Sequence, residues 1–82
     1  MKIAKAKMIG KSRYVDMSGN GKDRSYYHFV YQSPIVDGYA TIQFCEFGEE
    51  RKDMIVDRYY SIDYYMNGAY PRFNSVVIID EN

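Results

Sequence analysis

The chain has no tryptophan and no leucine, and among its 82 residues are one cysteine, one histidine and two prolines. A single cysteine, Cys45, excludes an intrachain disulfide. With His28 as the one histidine, Cys and His ligands are too few for a zinc centre, and no cofactor is expected. One cysteine and one histidine are also thin material for a nucleophile and its base. His28 lies between aromatic residues and is expected to be a half-buried structural side chain, so no catalytic residues are assigned and a binding role is expected. The longest purely apolar run, Val76-Val77-Ile78-Ile79, is far too short to span a bilayer. The opening Met1-Lys2-Ile3-Ala4-Lys5-Ala6-Lys7 interrupts its apolar residues with lysines and so lacks the apolar centre of a secretion signal. These absences lead us to expect a reducing, cytoplasmic setting with no membrane partner. A chain this short is expected to form one domain, residues 1–82, with a modest core and little room for a separate catalytic module.

Net charge is also absent: 11 basic residues balance 11 acidic ones. The balance hides a polarity. Up to residue 24 there are seven bases (Lys2, Lys5, Lys7, Lys11, Arg13, Lys22, Arg24) and two acids, Asp16 and Asp23. From residue 25 onward there are nine acids and four bases. Such asymmetry points to a charged partner. The alternative is that the early lysines guard an exposed edge strand against aggregation.

What the chain has in abundance is tyrosine, ten residues beside four phenylalanines. Tyrosine has an apolar body and a polar tip, so it tolerates exposure better than other aromatics. Ten such rings exceed what so small a core can hold, so several are expected on the surface.

Alternation of period two dominates the pattern and predicts strands. Tyr26 to Tyr31 is busy on both faces. In Tyr39 to Phe47, Ala40, Ile42 and Phe44 share one face, with Thr41, Gln43 and Cys45 on the other. Tyr59 to Met66 and Phe73 to Asp80 read as two further strands. Ala4, Ala6 and Met8 alternate with Lys5 and Lys7, and the pattern resumes at Arg13-Tyr14-Val15, with a bend or bulge expected at Gly10. Turns are expected at Ser18 to Asp23, between Ser33-Pro34 and Asp37-Gly38, and at Asn67-Gly68. Glu49 to Asp53 could form one helical turn. Gly19-Asn20-Gly21-Lys22 has neither the spacing of a phosphate-binding loop nor a helix after it, and reads as hairpin. Five strands with a long, bent first strand predict an all-β small barrel of the OB type, the SH3-like barrel being the alternative.

Basic and aromatic residues interleave on the expected first three strands: Arg13, Tyr14, Lys22, Arg24, Tyr26, Tyr27, Phe29, Tyr31 and Tyr39. Single-stranded nucleic acid asks for this mixture. Cations neutralise phosphates, and aromatic faces stack on bases of any sequence. Alternation allows only one of Tyr26 and Tyr27 to face a ligand.

In order along the chain, the layout resembles the small helix-destabilising proteins of filamentous phages. The resemblance rests on Met1-Lys2-Ile3 with its alternating lysines, Gly21-Lys22 shortly before Tyr26, Asp37-Gly38-Tyr39, Arg58-Tyr59-Tyr60-Ser61-Ile62, and Tyr70-Pro71-Arg72-Phe73-Asn74-Ser75-Val76-Val77-Ile78. It implies an OB-fold homodimer that coats single-stranded DNA during replication in a bacterial host's cytoplasm. It further implies that Tyr26 and Phe73 stack on bases and that Arg13, Lys22 and Arg24 hold phosphates. The gap between Gly21-Lys22 and the tyrosine is two residues longer than in that family, which admits Tyr27 in place of Tyr26. The acids Glu49, Glu50 and Asp53 also depart from a plain DNA coat.

The expected function is therefore sequence-tolerant binding of single-stranded DNA, with RNA as the variant of the same chemistry and no small-molecule substrate. Two other readings remain open at this point. One is a protein-interaction module, such as a viral inhibitor or adaptor, because tyrosine and arginine also favour protein interfaces. The other is a carbohydrate binder using stacked tyrosines, which leaves the basic cluster without a role.

Overall fold

A computed structural model describes residues 1–79 of the chain. It has five strands: β1 (Lys2–Tyr14), β2 (Arg24–Gln32), β3 (Tyr39–Phe47), β4 (Tyr59–Asn67) and β5 (Tyr70–Ile79). They form one sheet in the order β3-β2-β1-β4-β5, with every neighbouring pair antiparallel. The expected all-β class is what the structure has. There is no helix among the described residues, and thus none long and apolar enough to cross a membrane.

The long first strand organises the sheet. Its second half pairs with β2 and its first half with β4. The register slips between Met8 and Gly10, which makes Ile9 the extra residue of a bulge at the expected position. Beside the bulge, the Met8 N–H donates to the Arg58 carbonyl at 3.0 Å and the Met8 carbonyl accepts from the Asp57 N–H at 2.8 Å. These bonds tie the loop before β4 onto β1. The lysine-bearing strand is therefore central. Lys7 pairs with both Val30 and Tyr59 and so guards no open edge, whereas Lys5 pairs in neither ladder and sits at the β1–β4 irregularity between Ile3 and Ala6.

The sheet curls until β3 and β5 meet across a seam. Phe44 of β3 and Phe73 of β5 stack there at 4.3 Å between centroids, and Arg72 donates to the Cys45 carbonyl. No ladder joins the two strands among the described residues, so the sheet is not closed. A small, partly open barrel of the OB type is compatible with this arrangement.

The core is built from rings where leucines would ordinarily serve. Tyr27, Phe29, Phe44, Tyr60, Met8, Met54 and Ile62 are buried, with Phe73 and Tyr64 packed against them. Phe29 meets Phe44, Tyr60 and Phe73 edge to face at 5.8, 6.1 and 6.3 Å. Such pairs stabilise beyond their buried area. Two of the ten tyrosines, Tyr27 and Tyr60, are buried, four are half-buried and four exposed. The expected surplus is therefore on the surface.

The segment Glu49 to Asp53 forms no helix. A turn closes there, from the Met54 N–H to the Arg51 carbonyl at 3.3 Å. β5 begins at Tyr70, three residues before the expected Phe73, and the expected last residue, Asp80, lies outside the described residues. Pro71 hid this start, yet β5 is an edge strand, where a missing N–H costs no ladder bond. The β4–β5 connection is a two-residue loop, Gly68-Ala69, between the paired Asn67 and Tyr70. Gly68 has φ 64°, a value that side chains resist. Gly68→Ala is expected to lower stability by about 1–2 kcal/mol, measurable by urea unfolding, with the denaturant dependence unchanged.

Candidate nucleic-acid interface

Register fixes which side chains share the outer face of β1, β2 and β3. Tyr14 pairs with Arg24 and Arg24 with Phe47; Ser12 pairs with Tyr26 and Tyr26 with Cys45. Beyond them come Gly10, His28 and Gln43, then Lys7, Val30 and Thr41, then Gln32 with Tyr39. No acid occupies any of these outward positions. The acids sit elsewhere and several are engaged. Glu46 grips Arg51 with a two-pronged bond of 2.7 and 2.8 Å, Asp23 holds Arg13 at 3.1 Å, and Glu50 approaches Lys11 at 3.6 Å.

Two grooves flank this face. The larger, about 700 Å³, lies at the start of β1 and is lined by Lys2, Lys5, Lys7, Tyr31, Tyr39 and Tyr59, among others. The Lys5 ammonium lies 4.9 Å from the centre of the Tyr59 ring. The smaller, about 430 Å³, lies where the β5 tip faces β2 and β3, and includes Arg24, Tyr26, Phe47, Tyr70 and Arg72.

The nine candidate residues fall into four places. Tyr31 and Tyr39 line the larger groove, and Arg24 and Tyr26 the smaller. Tyr14 borders the latter, with the Arg24 guanidinium 5.6 Å over its ring. Arg13 and Lys22 belong to the β1–β2 hairpin, where Arg13 is paired with Asp23 and Lys22 is exposed. Tyr27 and Phe73 face inward. Tyr27 is 0 % exposed, and Phe73 is half-buried between Phe44, Tyr27 and the Arg51 guanidinium. Of the neighbouring Tyr26 and Tyr27, it is Tyr26 whose ring faces outward.

The hairpin loop is ordered by its own acids. Asp16 accepts from the Ser18 hydroxyl at 2.5 Å and from the N–H groups of Ser18 and Lys22 at 3.0 and 3.1 Å. The Ser18 hydroxyl first, and then these backbone donors, hold the Asp16 carboxyl below its ordinary value of 3.8. This is an Asx-type turn, in which the Ser18 and Lys22 N–H groups are taken up by Asp16.

Tyr27 accepts a hydrogen bond on its hydroxyl from the Arg51 N–H at 2.7 Å. Burial disfavours its phenolate and pushes its pKa above the ordinary 10.0. The unfolded chain then releases this proton more readily than the folded one. Stability from Tyr27 is fully present below pH 10.0 and is lost as pH rises through the higher folded value. Urea midpoints are expected to fall as pH rises above 10.0, and Tyr27→Phe is expected to flatten the alkaline fall while lowering neutral stability by about 1–3 kcal/mol, because the Arg51 N–H loses its acceptor.

His28 meets the Ser12 hydroxyl at 3.2 Å and pairs across the ladder with Gln43, while Cys45 pairs with Tyr26. No group of three or more metal-ligating side chains occurs among the described residues.

Comparison with protein-family models, with curated proteins and with solved structures finds no match to this chain. The functional reading therefore rests on the face itself. Sequence reasoning passed over Lys5, Lys7 and Tyr59 as one cluster, and over Phe47, Tyr70 and Arg72 as another. The alternation of Lys5 and Lys7 was visible. Their meeting with Tyr59 depends on the β1–β4 pairing of Lys7 with Tyr59, which no local pattern encodes.

Proposed function

We propose that this protein binds single-stranded DNA, without sequence preference, on the outer face of β1–β3. The observation that carries the reading is that, among the described residues, the paired outward positions of this face hold cations and rings but no acid, in a chain of zero net charge. Lys7 and Arg24 are spaced along it for phosphates, and Tyr14, Tyr26 and Tyr39 offer rings to bases, with Lys5 and Tyr59 of β4 together at its border. The same chemistry serves single-stranded RNA, and a direct comparison of oligo-dT with oligo-U decides between them. The role is binding rather than catalysis. Its resemblance to the phage helix-destabilising proteins supports a place in replication in a bacterial cytoplasm.

That resemblance also supports a homodimer, and so does the β4–β5 hairpin, which leaves Val77 60 % and Ile78 54 % exposed. Sedimentation equilibrium is expected to return twice the chain mass. The surface itself is tested by NMR. Adding oligo-dT to labelled protein is expected to shift the amides of Lys7, Tyr26, His28 and Gln43. Shifts confined to the loop of residues 48–58 would place the contact off this face, and no shifts at all would favour the protein-interaction reading.

A further inference from the structure

Resting on that reading, we propose that the smaller groove is a phosphate site in which Arg24 and Arg72 together grip one phosphate group of a nucleotide. Its walls come from Arg24, Tyr26 and Gln43 on one side and Tyr70 and Arg72 on the other, with Phe47 at its edge. Both guanidiniums lie over the same ring, Arg24 at 5.6 Å and Arg72 at 5.3 Å from the centre of Phe47. Two cations drawn to one ring repel one another unless an anion joins them.

No protein group supplies that anion among the described residues. Arg13 and Arg51 each have a carboxylate, Asp23 and Glu46, at 3.1 and 2.7 Å. Arg24 and Arg72 have none among the described residues, and the lining of the groove includes no acid. The Arg24 Nε is buried without a hydrogen-bond partner among the described residues. Arg72 donates one Nη to the Cys45 carbonyl, which fixes the plane of its guanidinium and leaves the remaining donors to the groove.

A phosphate suits this geometry because a guanidinium fork matches its oxygens two at a time, as an ammonium cannot. Tyr26 and Tyr70 flank the cations, so the base attached to the held phosphate has a ring to stack on. The phosphate is either an internal phosphodiester of a strand or the terminal phosphate of its end.

The test follows the Arg Nε–H signals of labelled protein by NMR, together with anisotropy of labelled poly-dT. Inorganic phosphate is expected to shift the Arg24 and Arg72 signals and to leave Arg13 in place. Oligo-dT without a terminal phosphate producing the same shifts assigns an internal phosphodiester, and shifts that need the terminal phosphate assign the strand end. Arg24→Gln and Arg72→Gln are each expected to weaken poly-dT binding about tenfold, with the log–log salt slope reduced by about 0.7. Arg72→Lys keeps the charge and loses the fork, and is expected to remain weaker than wild type. Thermal melts of each variant separate lost binding from lost fold. Unmoved Arg24 and Arg72 signals with phosphate and oligonucleotide alike overturn the site. So do wild-type affinities in both glutamine variants, and in that case the wider reading of the β1–β3 face survives. Shifts with inorganic phosphate but no binding of poly-dT would uphold the anion site and remove the nucleic-acid reading.

Discussion

Phe44→Ala is expected to lower the stability of the protein by about 3–5 kcal/mol. Phe44 is fully buried, stacks on Phe73 at 4.3 Å, and meets Phe29 and Tyr64 edge to face at 5.8 and 5.5 Å. Its loss opens a cavity in the seam between β3 and β5, where no ladder bonds compensate among the described residues. A domain of this size commonly has roughly 5–15 kcal/mol in all, so the loss is a substantial part of its margin. Its melting temperature is expected to fall by about 12–40 °C, at roughly 4–8 °C per kcal/mol. Calorimetry checks this. A shift of a few degrees would mean that the seam is not what holds the barrel together. A comparable cut in the outer face, Thr41→Ala, is expected to change stability little, because Thr41 is exposed.

Tyr26→Ala is expected to weaken binding to poly-dT by about 1–3 kcal/mol, the contribution of one stacked base, with little change in melting temperature. Tyr26 is half-buried on the outer face, pairing with Ser12 and Cys45. Its neighbour Tyr27 provides the internal control. It is buried, bonded to Arg51 and tilted against Phe73 at 5.7 Å, so Tyr27→Phe is expected to change stability and leave affinity alone. Binding titrations and melts on both variants read out the split. If Tyr26→Ala changes neither quantity, its ring is not a stacking platform. Loss of binding in Tyr27→Phe without loss of fold would contradict the orientation of β2.

This pair also marks how far the sequence could be read. Alternation located the strands well, and Tyr39–Phe47 was bounded correctly, because a half-buried strand writes its period into the chain. The bulge was legible at Gly10 because the alternation of β1 breaks there. The two aromatic faces of β2 were also legible, but not their direction. Tyr26-Tyr27-His28-Phe29 offers a ring on either side, and only the pairing of Tyr27 with Phe44 on the inner face fixes it. Phe73 illustrates the opposite case. The resemblance implied that its ring stacks on bases, yet the curl of the sheet brings it against Phe44. Long-range closure of this kind leaves no mark in a local pattern. The same holds for the grooves, since Lys5 with Tyr59 and Arg24 with Arg72 are far apart in sequence.

The central claim, that the outer face of β1–β3 holds single-stranded nucleic acid, is tested most directly by fluorescence anisotropy of a labelled poly-dT oligonucleotide titrated with the protein at low and at physiological salt. The account predicts tight binding at low salt that weakens steeply, by about 0.7 in log affinity per log unit of salt for each phosphate neutralised. Absence of binding at low salt, or binding indifferent to salt, would contradict it.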